Sequence, residues 1–241
     1  MKGRIKMWNR AIFKANAKIP LRQTYWTAFL VSLVALILAG VSNSATNTNN
    51  FNALNFSNET IINVTSKIIV FAGTIFSAVY IAFISNILSL GEKKFYMENR
   101  KCPTKFSALF DGFRCAYLQK VIVLFMRNLF IALWSILLFV PGVIAYYRYW
   151  TVEYLLNENP NLNWQHAIDM SKRMTDGRKT DLFVLDLSFI GWVLLTVFTC
   201  GLGVFFLNPY ISATKVEAYE FLKQESLQMG KISPEEFQAN M

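Results

Sequence analysis

The chain has 241 residues, 54% of them hydrophobic and only 16% charged, with a mean hydropathy of +0.33. A soluble domain carries roughly 25% charged residues. Here Lys and Arg number 24 against 15 Asp and Glu, a net charge of +9. An oily yet basic chain is neither disordered nor a typical soluble enzyme. It fits an all-α, polytopic membrane helix bundle whose basic residues gather in loops on one side.

Residues 1–22 hold seven basic residues and no acid, and an apolar run follows. This pattern imitates a signal peptide, but the basic stretch is long and Asn43 is a poor residue three before a cut. The expectation is an uncleaved anchor. Ile5, Trp8, Ile12, Ala15 and Ile19 recur at helical spacing with Lys and Arg on the other face. That is a basic amphipathic arm for an anionic inner leaflet, or a plain topology signal, and the two are compatible. The surface-binding candidates are Lys2, Arg4, Lys6, Trp8, Arg10 and Lys14.

A spanning helix needs roughly 20 mostly apolar residues. Tyr25–Val41 is the first candidate and Ile68–Leu90 the second, so residues 23–91 hold two helices. Residues 43–60 between them contain no Lys or Arg, which places that loop outside. Residues 92–120 carry Lys93, Lys94, Arg100, Lys101, Lys105, Arg114 and Lys120, which makes them a cytosolic loop. Val121–Val140 is the third span, ended by Pro141-Gly142, and Val143–Leu156 is a short fourth. Residues 180–222 divide at Gly201-Leu202-Gly203 into two more.

Loop charge chooses between four spans and six. Four spans would put Arg148, Lys172, Arg173, Arg178 and Lys179 outside, which the positive-inside rule disfavours. Six transmembrane or partly spanning helices, with both termini cytosolic, satisfy every loop. The short turns at Pro141-Gly142 and Gly201-Leu202-Gly203 suit a shallow position, so some of the later helices cross incompletely. The whole of 1–241 is then one membrane domain, with a four-helix core over 121–223 and a polar tail over 224–241. Residues 163–175 form a second interfacial helix, with Trp164, Ala167, Ile168 and Ser171 on one side and Asn161 or Asn163 as N-cap. His166 and Asp169 fall on its wet side, where a solvated residue is the plain reading of His166.

Ionisable residues inside a membrane are expensive and mark candidate sites. At about 1.5 Å per residue, Arg127, Glu153, Asp186, Lys215 and Glu217 fall in one layer near the inner interface, with Arg127 and Asp186 as a prospective pair. The layer is either a polar cavity that binds a headgroup, peptide end or ion, or a set of structural ion pairs with snorkelling cations. Asn208 precedes Pro209, a kink in the last helix, and is able to hydrogen-bond across helices. Gly73 with Ser77, and Ala78 with Ala82, give small-residue spacing for packing within one subunit or in a homo-oligomer. Trp26, Trp134, Trp150 and Trp192, with Tyr146, Tyr147 and Tyr149, are expected at the membrane interfaces.

Catalytic constellations are missing from the sequence. Cys102, Cys115 and Cys200 form no ligand pattern and read as free thiols, and His166 is the single histidine. There is no HExxH, P-loop or GxSxG elbow, and the lone GxG at 201–203 reads as a turn. No catalytic residue, metal or cofactor is expected.

The second half resembles a family of uncharacterised bacterial membrane proteins common in Gram-positive bacteria, domain of unknown function 975. The resemblance rests on Phe139-Val140-Pro141-Gly142-Val143-Ile144, then Glu158-Asn159-Pro160-Asn161-Leu162, Ala167-Ile168 with Ser171 and Met174, and the run from Asp181 to Trp192. Gly201-Leu202-Gly203, Leu207-Asn208-Pro209-Tyr210-Ile211 and Ala213-Thr214 complete it in the same order. A weaker similarity is to the membrane domain attached to some glycerophosphodiester phosphodiesterases, but none of that enzyme's metal-binding carboxylates and histidines is present. The resemblance implies a six-helix topology in a bacterial inner membrane and no reaction.

The resulting expectation is a non-catalytic, multi-pass membrane protein that binds anionic inner-leaflet lipid or a peptide or membrane-protein partner. Its role would be envelope maintenance or antimicrobial-peptide tolerance, with no nucleic-acid partner. The alternative is a small-solute transporter or transporter accessory subunit, with Arg127, Glu153, Asp186 and Lys215 lining a pathway. An intramembrane enzyme acting on lipid would need a nucleophile or metal that the sequence does not offer.

Overall fold

The structure, a computed structural model, describes residues 8–44, 72–73, 80–198 and 202–237. Lys2, Arg4, Lys6, most of the first loop, Ser77, Ala78 and Cys200 lie outside the described residues. Within them the fold is all-α. Its elements in chain order are α1 (Arg10–Ser44), α2 (Asn86–Asn99), α3 (Tyr117–Leu137), α4 (Phe139–Arg148), α5 (Val152–Glu158), α6 (Trp164–Thr175), α7 (Lys179–Leu187), α8 (Ile190–Phe198) and α9 (Leu202–Gln228). A π-helical turn (Ile81–Ser85) leads into α2, and 3₁₀ turns lie at Phe106–Phe113 and Pro234–Phe237.

The amphipathic arm and the first span form one kinked helix. Pro20 has no N–H to donate, and the break falls one turn later at Thr24, with φ −123° and ψ 24°. The Thr24 hydroxyl lies 3.0 Å from the Pro20 carbonyl and 2.9 Å from Asn99 Oδ1, which ties the kink to the end of α2. Phe13, Ala17, Leu21, Ala28 and Val31 are buried at helical spacing. This face packs against α9, with Phe13 on Phe221 and Phe29 on Phe206, so the two helices run antiparallel. The start of α1 and the end of α9 therefore share one end of the bundle, called the base below. Ile12 and Ile19, on the apolar face expected to meet the membrane surface, are exposed. Trp8 is not at a free surface but packs edge-on against Phe13 and Phe221.

The helix expected to end near Leu90 continues to Asn99. Its buried stripe of Ile87, Gly91, Phe95 and Asn99 carries on at four-residue spacing, so the first eight residues of the expected loop are helical. Gly91 is required there: a Cβ would stand 1.8 Å from the Leu109 carbonyl oxygen.

Among the described residues, α3 is a helix long and apolar enough to cross a membrane. It breaks at Leu138, which is extended at φ −158° and ψ 146°. Pro141 then sits in the first turn of α4, where its missing N–H costs nothing. Gly142 closes the hairpin, since a Cβ would fall 2.3 Å from Ser135 Oγ. With ten residues, α4 rises only about 15 Å, half the apolar thickness of a bilayer. The expected fourth span is thus two short helices interrupted at 149–151. Similarly α7 and α8, nine residues each, are joined through Ser188 and Phe189.

The expected loop at 157–180 contains α6, capped by Asn163, whose side chain accepts from the Gln165 amide. It is a core element rather than an interfacial one: Ala167, Met170, Ser171 and Met174 are buried. Tyr154 and Tyr219, stacked at 4.7 Å, lie among the most buried side chains. Trp150, Tyr147 and Tyr149, expected at an interface, are likewise core residues, whereas Trp26, Trp134 and Trp192 are exposed.

The polar tail is also structured. α9 ends in a Schellman motif: Lys231 N–H donates to the Ser226 carbonyl and Gly230 N–H to that of Leu227, with Gly230 at φ 66°. The chain turns back, buries Ile232 and docks the 234–237 turn, where the Asn159 amide donates to the Phe237 carbonyl.

Candidate functional site

The residues expected in one charged layer are present in the base half, but they divide into three groups. Arg127 does not pair with Asp186. It meets Glu153, which also receives Lys93 and a hydrogen bond of 2.9 Å from the Ser89 hydroxyl. Arg127 and Glu153 are both buried, with 10% and 8% of their side chains exposed. A buried carboxylate of this kind needs its countercharge, because desolvation otherwise outweighs any gain. Two cations and a hydroxyl supply it here.

Asp186 instead accepts from Lys215 at 3.0 Å and from the Tyr147 hydroxyl at 3.0 Å. This pair is more open, with 26% of the Asp186 side chain and 23% of the Lys215 side chain exposed. Glu217 forms the third group. It receives Arg100 at 2.6 Å and the Asn16 amide at 3.4 Å, linking α9 to α2 and to the arm of α1.

Asn208 belongs to a fourth arrangement that the sequence did not suggest. Its amide donates to Glu92 at 3.1 Å, and the hydroxyls of Ser212 and Ser32 approach the same oxygen at 3.2 and 3.3 Å. The Tyr96 hydroxyl adjoins at 2.7 Å from Ser32. Glu92 is thus held by neutral donors from two helices, α1 and α9. Glu92, Lys93 and Arg100 were missed because their charges placed them in a loop. The apolar stripe running on through Phe95 and Tyr96 was the signal available.

Further toward the base, Lys223 pairs with Glu158 at 2.6 Å, and Arg178 holds Asp181 at 2.9 Å together with Glu225. The Glu225 hydrogen bond, first among the causes, pushes the Arg178 guanidinium above its ordinary value. Helix α9 therefore carries polar contacts to α1, α2, α5 and α7. Of the arm's candidates, Lys14 donates to the Ser188 carbonyl at 3.3 Å and lies over the Phe189 ring, while Arg10 is exposed. His166 stands 3.8 Å from Glu236. Cys102 and Cys115 are free and exposed. Among the described residues, no group of three or more His, Cys, Asp or Glu side chains is arranged to hold a metal.

The tip half is the opposite in character. Residues 129–147 and 187–214 contain no Lys, Arg, Asp or Glu. Ile136, Leu137, Leu138, Phe139 and Val140 are all more than 60% exposed, and Trp192, Leu194 and Leu195 more than half. Two apolar cavities open here. One of about 200 Å³ lies between α3 and α4, lined by Trp134, Pro141, Ile144, Ala145, Arg148 and Tyr149. The other, about 310 Å³, lies between α8 and α9, around Trp192, Leu195 and Phe206.

Residues 136–226 match the family described as "Protein of unknown function (DUF975)". The matched segment runs from the tip of the α3–α4 hairpin through most of α9. It holds Glu153, Asp186, Asn208, Lys215 and Glu217, but not Arg127, Glu92, Lys93 or Arg100. Of these five, Asp186 and Lys215 pair within it. Glu153, Asn208 and Glu217 find partners on α2, on α3 or at Arg100 just after α2, so the matched segment and the chain before it share one polar core. No curated protein and no solved structure matches the chain.

Proposed function

We propose that the protein is a non-catalytic, multi-pass membrane protein that binds anionic lipid of the inner leaflet and serves envelope maintenance. In this reading six helices span or partly span the bilayer, the base faces the cytosol and the tips lie in hydrocarbon. The observation that carries it is the division of the helices. Contiguous exposed apolar surface of this extent is costly in water and marks a membrane or partner surface. The charges of the base are paired inward, while Lys101, Lys105 and Arg148 are exposed and take no part in the ion pairs among the described residues. Cations of this kind at the cytosolic surface attract anionic headgroups, each contributing about 1 kcal/mol.

The test is native mass spectrometry of the full chain released from a mixture of phosphatidylglycerol and phosphatidylcholine with matched acyl chains. Retained lipid enriched in phosphatidylglycerol is the expected result. Equal retention of the two, with no partner protein co-purifying, would overturn the reading.

A transporter role is the second reading, favoured by the half-open Asp186–Lys215 pair beside the interruption at Ser188. Proteoliposome flux that is unchanged in Asp186→Asn would remove that pair from any pathway.

A further inference from the structure

We propose that the cavity between α3 and α4 is a specific site for one anionic phospholipid, with its acyl chain against Trp134, Pro141 and Ile144 and its phosphodiester on Arg148. The inference deepens the lipid reading above and rests on it.

The cavity of about 200 Å³ is smaller than the roughly 300–1,000 Å³ of a site that engulfs a drug-sized ligand. It therefore suits a single chain segment laid along a helix hairpin. Its walls are apolar and half-exposed: Trp134 and Ile144 keep 43% and 50% of their surface open. At its base end stands an exposed guanidinium, the single ionisable lining residue apart from the Tyr149 phenol. Arg148 lies seven residues beyond Pro141, about 10 Å along α4, so the charged and apolar parts of the cavity are separated along the axis as they are in a lipid. Arg148 forms no ion pair among the described residues, whereas Arg127, Arg100, Arg173 and Arg178 each have an acidic partner.

The Arg148 backbone is held in place. Its carbonyl accepts from the hydroxyls of Ser171 at 3.0 Å and Thr175 at 3.2 Å, both on α6. Those two residues are fully buried. The guanidinium thus projects from a fixed base, and its planar fork of donors matches a phosphate in two-point contact. Charge and apolar surface in this order select an anionic phospholipid over a free phosphate, which would leave the cavity bare, and over a zwitterionic lipid, whose cation Arg148 repels.

The experiment compares the wild-type full chain with Arg148→Gln, Ile144→Trp and Lys105→Gln. Lys105→Gln controls for loss of one exposed cation elsewhere. Each is purified, checked for unchanged helicity and melting, and offered the same phosphatidylglycerol and phosphatidylcholine mixture. Arg148→Gln is expected to lower the preference for phosphatidylglycerol by about fivefold or more, and Ile144→Trp to lower retention of that lipid by filling the cavity. Lys105→Gln, which removes one cation of the same surface outside the cavity, is expected to lower that preference by less than Arg148→Gln does, and excess inorganic phosphate to displace nothing. If the wild type prefers phosphatidylglycerol and Arg148→Gln keeps that preference to within the Lys105→Gln control, the site is wrong while the lipid reading stands. Displacement by inorganic phosphate overturns the lipid as the occupant. A wild type with no preference removes both site and reading.

Discussion

The two halves of helix α3 obey different rules. From Lys120 to Arg127 it buries Lys120, Val121, Val123, Leu124 and Arg127 inside the bundle, and from Leu129 to Leu137 no residue is buried. Helix α9 repeats the division in reverse order, with Phe206 exposed near its start and Val216, Ala218, Tyr219 and Leu222 buried further on. The base halves are held by packing and by ion pairs that neutralise one another across helices. The tip halves carry no Lys, Arg, Asp or Glu and leave most of their apolar side chains open. The lesson is that hydrophobicity and burial separate along one helix: the most apolar stretches are the least covered by protein. On the proposed reading lipid covers them instead.

That contrast breaks most sharply at Glu153. Glu153→Leu leaves Arg127 and Lys93 facing each other without an acid, and the expected loss is about 3–5 kcal/mol, read as a lower melting temperature in detergent. Adding Arg127→Met should return part of it. A charge at the tip should do the reverse. Phe139→Arg is expected to leave detergent melting unchanged but to cost about 2.5–3.5 kcal/mol of membrane insertion if the tip lies mid-bilayer, read by alkaline extraction of membranes. A matched pair of glycine substitutions sharpens the comparison at smaller scale. Gly91→Ala drives a methyl into the Leu109 carbonyl and should cost about 1–3 kcal/mol. Gly191→Ala on α8 meets nothing within 4 Å and should be neutral or slightly stabilising, since alanine favours a helix by about 1 kcal/mol.

The smallest effect concerns pH at the base. The hydrogen bond from Arg173, ahead of the cost of burial, holds the Glu236 carboxyl below its ordinary 4.5. A depressed carboxyl stabilises above its unfolded value and loses that contribution as pH falls through the folded one. Residues 229–237 should therefore lose hydrogen-exchange protection as pH falls below the ordinary carboxyl value of 4.5, with α9 before Gln228 still protected. Equal protection of the segment at pH 3 and 7 would show that Ile232 and Phe237, not the ion pair, hold it.

Much of the fold was legible in the sequence because apolar runs and their breakers are local signals. The hairpin near Pro141 and the cap at Asn163 were both visible there. The pairing was not. Arg127 to Glu153 rather than Asp186 depends on which helices face each other, and spacing along one helix carries no such information. Glu92 and Arg100 were hidden for a related reason: charge was taken as a mark of solvent, while the bundle uses those side chains to meet Asn208 and Glu217. The second face of the arm, with Phe13 against Phe221, was hidden in the same way, since it is fixed by a partner helix that spacing does not name.

Helix α9 meets Glu92, Arg100, Asp186, Glu158 and Arg178 with its own side chains, and it follows all five in the chain. At roughly 5–20 residues per second, those groups are made seconds before their α9 partners. Until then Glu92 has Ser32, Asp186 has Tyr147 and Arg178 has Asp181. Arg100 and Glu158 wait for α9 to supply an acid and a base, so assembly carries a late step in which one helix completes the charge pairing of several earlier ones.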